Sequence, residues 1–142
     1  MFPTQSNTTP GQIPFPSAVD LTGKEALLVK LTVNGGVAQI ALPAALTDIP
    51  LFVVGDGYPV GKASTVLPLT IDENRRVRLK GTCNPGDVLS LADPAVPADA
   101  GKLRKLPAVT GTYRAVAVAE EVGVDGQLLL VRPAAIGLIV VP

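Results

Sequence analysis

The chain has no histidine, no tryptophan and a single cysteine, Cys83. Without imidazole, the Ser-His-Asp and Cys-His arrangements of nucleophilic catalysis are excluded, together with every metal site that needs a histidine ligand. One cysteine makes neither a disulfide within the chain nor a thiolate zinc site. No pattern of cations surrounds Cys83, which therefore reads as a small buried residue and not as a reactive thiol. Aromatic residues make up only 4%, so a core has to be built from Val, Leu, Ile and Ala. Twelve basic and twelve acidic side chains cancel. That removes the long-range field that would draw the protein to nucleic acid or to an anionic membrane. No apolar run approaches the roughly 20 residues of a membrane helix, and residues 1 to 19 lack both the Lys or Arg and the apolar stretch of a signal peptide. The expectation is a protein that stays in the cytoplasm where it is made, with no membrane partner, no nucleic-acid partner and no cofactor.

What is abundant is punctuation. Gly and Pro number 14 each in 142 residues, too many for long helices, while 47% of the chain is apolar. Short strands joined by turns are the natural outcome, in one domain with a real core. The fold class expected is mainly β: a small barrel or sandwich of short antiparallel strands, with little helix and an extended N-terminal arm. The arm spans residues 1–22 and the single β-rich domain residues 23–142.

The last third anchors this reading. Tyr113 to Ala119 and Gln127 to Val131 are apolar runs of strand length, separated by a turn that closes on Asp125-Gly126. The first of these runs is Ala-rich and ends near Glu120-Glu121, which also suits a helix. Alternation of Val116 and Val118 with alanines, and the bounding Gly111 and Gly123, favour a strand. Pro133 is expected to close the second run, and Ile136 to Val141 to form a separate strand. Upstream, Ala26 to Val33 and Val37 to Leu42 flank Asn34-Gly35-Gly36, a hairpin turn. Pro43 to Leu46 suits one helical turn with proline in first position. Leu51 to Gly55, Thr65 to Leu69, Arg76 to Gly81 and Val88 to Ala92 complete the strands, with Asp93 to Gly101 as a loop.

Three patterns invite chemistry and fail on spacing. In Gly55 to Ser64 a Gly-Lys pair follows other glycines, but a phosphate loop needs glycine five residues before Gly61, where Asp56 stands, and Ser or Thr where Ala63 stands. A dinucleotide fingerprint meets Val60 in place of its third glycine. The acid pairs Asp72-Glu73 and Glu120-Glu121 lie in turns and do not converge on one substrate. Arg75, Arg76, Arg78 and Lys80 form the one basic cluster. No aromatic residue interleaves it, so nucleotide bases find no stacking platform. Arg76, Arg78 and Lys80 share one strand face opposite Val77 and Leu79 and are candidates for a rim that contacts another protein.

Residues 1 to 20 carry four Pro, three Thr and two Ser, with no charge before Asp20. Such a stretch cannot offset its own chain entropy, and it is expected to be mobile in the free protein. Phe2 and Phe15 nevertheless place two of the three phenylalanines there, with Ile13. Phe2, Pro3, Ile13, Pro14 and Phe15 are candidate residues of an arm that orders on a partner's surface.

The uncharged arm, then Val77-Arg78-Leu79-Lys80-Gly81, the turn Asn84-Pro85-Gly86-Asp87, the strand Val88 to Leu91, Val109 to Ala117 and Gly126 to Pro133 together resemble the small head-decoration, or capsid cement, proteins of tailed bacteriophages. The likeness spans roughly residues 70 to 133, and its motifs are turn and strand patterns. The chain departs from the shortest members in its extra tail, Ala134 to Pro142. The resemblance implies a β-rich homotrimer, made in the host cytoplasm and placed on the capsid surface of the virion. It implies the major capsid protein as partner, with the N-terminal arm adding to capsid β-structure, and a stabilising structural role without catalysis. A tail, baseplate or fibre-associated β module is the alternative. A trimeric nucleotide hydrolase of the dUTPase type needs ordered Asp, Ser and Gly motifs that this sequence lacks.

Overall fold

Turn chemistry decides where the strands of this chain stop. In the computed structural model, which describes residues 12–142, the positive φ angles fall almost wholly on glycine, and Gly35 and Gly36 at +58° and +80° give the tight reversal that Asn34-Gly35-Gly36 demands. Ten strands result, with no helix among the described residues. β1 (Ile13–Pro16), β2 (Leu28–Asn34), β3 (Val37–Ala41), β4 (Phe52–Asp56) and β5 (Ala63–Pro68) form one sheet in the order β1-β5-β4-β2-β3. β6 (Arg75–Lys80), β7 (Val88–Leu91), β8 (Leu103–Lys105), β9 (Gly111–Ala119) and β10 (Leu128–Val141) close into a barrel in the order β10-β6-β8-β7-β9. The all-β, barrel-forming class expected from composition is the one observed. Pairing is antiparallel except between β6 and β8, which run parallel.

The first sheet curls until its edges meet. Ser17 bridges Ile40, the Ala18 N–H donates to Ile40 O at 2.9 Å, and the buried hydroxyls of Ser17 and Ser64 share a hydrogen bond. Inside lie Leu21, Val29, Ile40, Val54 and Val66, with Ile13, Phe15, Leu42 and Phe52 packed on them. The barrel core holds Val77, Leu79, Leu89, Leu91, Leu103, Leu129 and Val131, and Leu28 and Val53 of the first sheet join it. Each fully buried Leu or Val contributes about 1.5–3 kcal/mol. Backbone bonds fasten the two halves: Leu28 N–H to Gly101 O at 2.8 Å and Arg78 N–H to Ala26 O at 3.0 Å.

The barrel has an internal two-fold that relates residues 40 apart, such as Cys83 and Gly123 or Gly86 and Gly126. Cys83 and Gly123 exchange both backbone hydrogen bonds across its axis. Gly86 N–H donates to Ala119 O and Gly126 N–H to Leu79 O, each at 2.8 Å, while Ala119 N–H donates to Asp87 O and Leu79 N–H to Gln127 O. Leu129 pairs with Val77 as Leu89 pairs with Ala117. The halves are thus interleaved, β6 with β10 and β7 with β9. On one side β9 and β10 pair directly, through Val131 and Ala119. On the equivalent side β8 is wedged between β6 and β7, with Leu103 opposite both Leu79 and Leu91.

Three expectations need correction, and one strand, β8, was not anticipated. Residues 13–21 do not belong to a separate arm: β1 pairs with β5 from Ile13–Val66 to Pro16–Ala63, and Leu21 is fully buried. Pro14 and Pro16 alternate with Ile13 and Phe15, so the residues that lack N–H fall at every second position, where an edge strand tolerates them. Pro43 to Leu46 makes no helical turn; the Asp48 carboxylate captures the N–H groups of Ala44 and Ala45 and the Lys30 ammonium instead. The short β8 follows the loop that ends at Gly101, and three residues are too few to show a period. Finally, Pro133 does not end a strand. Val131 is the last β10 residue to pair with β6, so Pro133 lies where that neighbour has stopped, and β10 continues past a bulge to Val141 against β9.

Candidate protein-docking surface

The residues singled out for chemistry are committed within the chain. In the loop between β4 and β5, Asp56 N–H donates to Thr65 Oγ1, Tyr58 N–H to Ser64 Oγ, Gly61 N–H to Ser17 O and Lys62 N–H to Pro59 O. A phosphate cradle needs such N–H groups free and convergent. The acid pairs separate: Glu73 meets Arg75 at 2.6 Å, Glu120 meets Arg132 at 3.3 Å and Glu121 meets Arg76 at 2.7 Å. Burial pushes the Cys83 thiol up, against the Gly123 N–H, so its thiolate is disfavoured.

Arg76, Arg78 and Lys80 do share the outer face of β6, with Val77 and Leu79 buried beneath. Their charges, however, hold this chain together. Arg76 also donates to Leu128 O, Arg78 donates to Glu25 O at 2.9 Å and to Gly23 O at 3.3 Å, and Lys80 lies 3.6 Å from Asp99. A rim of free cations is therefore not what β6 offers a partner. Of the expected arm residues, Phe2 and Pro3 lie outside the described residues. Ile13 and Phe15 point into the first sheet, where the Phe15 ring meets Phe52 with centroids 5.3 Å apart, and Pro14 faces solvent.

What sequence reading did not single out is an apolar groove of about 570 Å³ between the first sheet and the barrel. Its walls are Ile49 and Leu51 before β4, Leu69 and Ile71 after β5, and the β10 bulge from Pro133 to Ile136. Ile49, Leu51, Ile71 and Ile136 are exposed. Arg114 is the one charged residue on the wall, and its guanidinium donates twice to Thr47 O, at 3.0 and 3.3 Å. The groove is therefore apolar apart from this one guanidinium and some backbone: residues 134–136 of the bulge have no partner in the pairing with β6 or β9. A shallower depression lined by Lys30, Leu31, Thr47, Asp48, Ile49 and Leu51 extends it toward the β2–β3 hairpin. The signal in sequence was the isolated isoleucines Ile49 and Ile71, placed in turns where a soluble loop gains nothing from them.

Neither the family models nor the curated proteins contain a match to this chain. Among solved structures, the chain is similar to the head fiber gp8.5 N base of bacteriophage phi29, with a TM-score of 0.64 and 17% identity over 87% of this chain and 92% of that one. At that identity the likeness is one of fold, and it takes in both the curled sheet and the barrel.

Proposed function

We propose that the chain is a structural protein of a bacteriophage head, bound to the outside of the capsid. The observation that carries this reading is the shared fold, which extends over nearly the whole of a head-fiber base domain. The surface supports it: the cations of β6 are engaged within the chain, and a largely apolar groove is open to a protein partner. In the finer form of the proposal, the protein decorates and stabilises the capsid as a cement protein. It acts as a homotrimer on the major capsid protein, and residues 1–11 reach onto capsid subunits. No reaction is assigned to it.

The likeness to a fiber base favours one second reading, in which the domain is the capsid-proximal foot of a longer appendage and stabilises nothing by itself. Co-sedimentation separates these. A cement protein binds expanded empty heads and raises the temperature at which they rupture. A fiber foot binds heads and leaves that temperature unchanged. Binding to isolated tails and not to heads would overturn both.

A further inference from the structure

The β2–β3 hairpin outruns its sheet. β4 pairs with β2 only at Leu28 and Val29, so from Leu31 to Ala38 the two strands have each other and, among the described residues, no third strand. Their register puts Leu31, Val33, Ala38 and Ile40 on one face. Ile40 roots that face in the core, but Leu31 is 41% exposed, Val33 73% and Val37, beside the turn, 54%. No residue from Leu31 to Thr47 carries a charge. A projecting two-stranded ribbon with apolar side chains and open edges is what soluble monomers avoid, because it offers both hydrophobic area and unpaired backbone to any strand that meets it.

Leu31, at the root of the ribbon, also lines the shallow depression with Ile49 and Leu51, and those two continue into the main groove with Ile71 and Ile136. One apolar surface therefore has a convex end and a concave end. The groove's volume would suit a small ligand, yet such sites need convergent polar groups to orient the ligand, and Arg114 is already engaged with Thr47 O. A neutral strand ribbon needs no such groups. Its backbone can bond the unpartnered backbone of residues 134–136, and its tip is narrow, with open space around Gly35 and Gly36.

Rooted beside the groove, the hairpin cannot fold back into it without leaving the sheet. Between copies the two ends complement each other, and a convex patch that meets a different, concave patch makes a heterologous contact, which closes into a ring when the rotation allows. We propose that the hairpin tip of one copy, Val33 to Val37, seats in the groove of a second copy against Ile49, Leu51, Ile71 and Ile136, and that three such contacts close the trimer. The inference rests on the self-association proposed above, but not on the capsid.

The test uses the full chain. Val33→Cys protein and Ile71→Cys protein are mixed and mildly oxidised; native Cys83 is buried and adds little background. The expected product is the mixed disulfide between the two variants. Homodisulfides of Val33→Cys as the main product would show hairpins meeting about a two-fold axis and overturn the inference, as would the absence of any cross-link. Separately, Val33→Glu is expected to shift the mass by light scattering from three chains to one with an unchanged circular dichroism spectrum, since Val33 supports nothing in its own chain. A wild-type protein that is monomeric at tens of micromolar yet co-sediments with heads would end this inference and leave the head-surface reading intact. A trimer that binds no heads would do the reverse.

Discussion

Gly123 lies beside the internal two-fold of the barrel, across from Cys83, and its φ is not positive. Its constraint is space: a Cβ built there meets Leu79 Cδ2 at 2.5 Å, Cys83 Sγ at 2.8 Å and Leu129 Cδ1 at 2.9 Å. All three neighbours are core side chains with little room to retreat. Gly123→Ala is therefore expected to destabilise the protein by about 1–3 kcal/mol, the usual cost of overpacking, seen as a lower urea midpoint. The companion change Gly126→Ala meets no atoms but sits at φ +83°, so its cost is one of backbone strain, about 1–2 kcal/mol. Adding Cys83→Ala should recover part of the loss in the first case and none in the second.

Acidic residues here are turn-builders. Asp20, Asp87 and Asp125 accept the N–H groups of Thr22, Asn84 and Gly81, and those bonds hold each carboxyl below the usual range. Glu121 is lowered first by the Leu130 N–H and then by Arg76 and Gln127, against some desolvation. For Asp48 burial pushes upward, but Lys30 and the Ala44 and Ala45 N–H groups together outweigh it. A carboxyl lowered in the folded state contributes stability that is complete above its unfolded pKa of about 4 and is lost as pH falls through the folded value. The urea midpoint is expected to be level from about pH 7 to 5 and to fall below about pH 4. Asp48→Asn should make that fall shallower; an equally steep fall would show that Asp48 is not one of its sources.

At the scale of elements, the long periodic strands were legible and the exceptions have physical causes. The alternation Arg76-Val77-Arg78-Leu79-Lys80 is a half-buried strand, and the structure buries Val77 and Leu79 fully. The Ala-rich run before Glu120 is indeed β9, buried on both faces at Ala115, Val116 and Ala117, with Val116 on the groove wall beside Leu51 and Leu69. β1 was hidden because proline at alternate positions looks like a linker, when an edge strand needs N–H groups on only one side. The groove was hidden because it is assembled from two loops and a bulge, none of which has a period. The internal two-fold left a faint trace: Gly86 and Gly126 each stand three residues before a core leucine, Leu89 and Leu129.

β1 also sets where the chain can be shortened. Removal of residues 2–11 keeps the whole of β1, whereas removal through Val19 strips Ile13 and Phe15 from the first core and Ser17 from Ser64. The longer truncation is expected to cost about 3 kcal/mol or more, from two half-buried apolar side chains and a buried hydroxyl left without its partner. Equal midpoints for the two truncations would show that β1 adds nothing to the domain.

For the whole molecule, the short truncation isolates the arm. If residues 1–11 contact capsid subunits, the protein lacking residues 2–11 should remain a trimer and bind expanded heads at least roughly tenfold more weakly, a loss of about 1.4 kcal/mol. Unchanged binding would assign the anchoring surface to the β domain alone. Composition had much to say at this scale. The absence of histidine and the balance of charge turned the reading away from catalysis and nucleic acid, and an apolar fraction of 47% pointed toward self-association. The shape of the partner site was beyond it, because the convex and concave ends lie in segments that meet only after folding.

The interleaving of β6 with β10 and β7 with β9 has a consequence for how the molecule is made. Neither half of the barrel can close on itself, since β6 finds its mate 52 residues on, Val77 with Leu129, and β7 finds its mate 28 residues on, Leu89 with Ala117. On the ribosome, the free edge of β7 waits for Gly111 to Ala119 and that of β6 stays bare until Leu128 to Val131 follows; only then do β6 and β9 gain their shared neighbour. Late closure of non-local pairs makes for slow folding and leaves open edges that adjacent nascent chains can capture. Copies that fold side by side are therefore exposed to strand exchange before β10 arrives, and the outer face of β6, with Arg76, Arg78 and Lys80 in a row, is the kind of charged edge that disfavours such pairing.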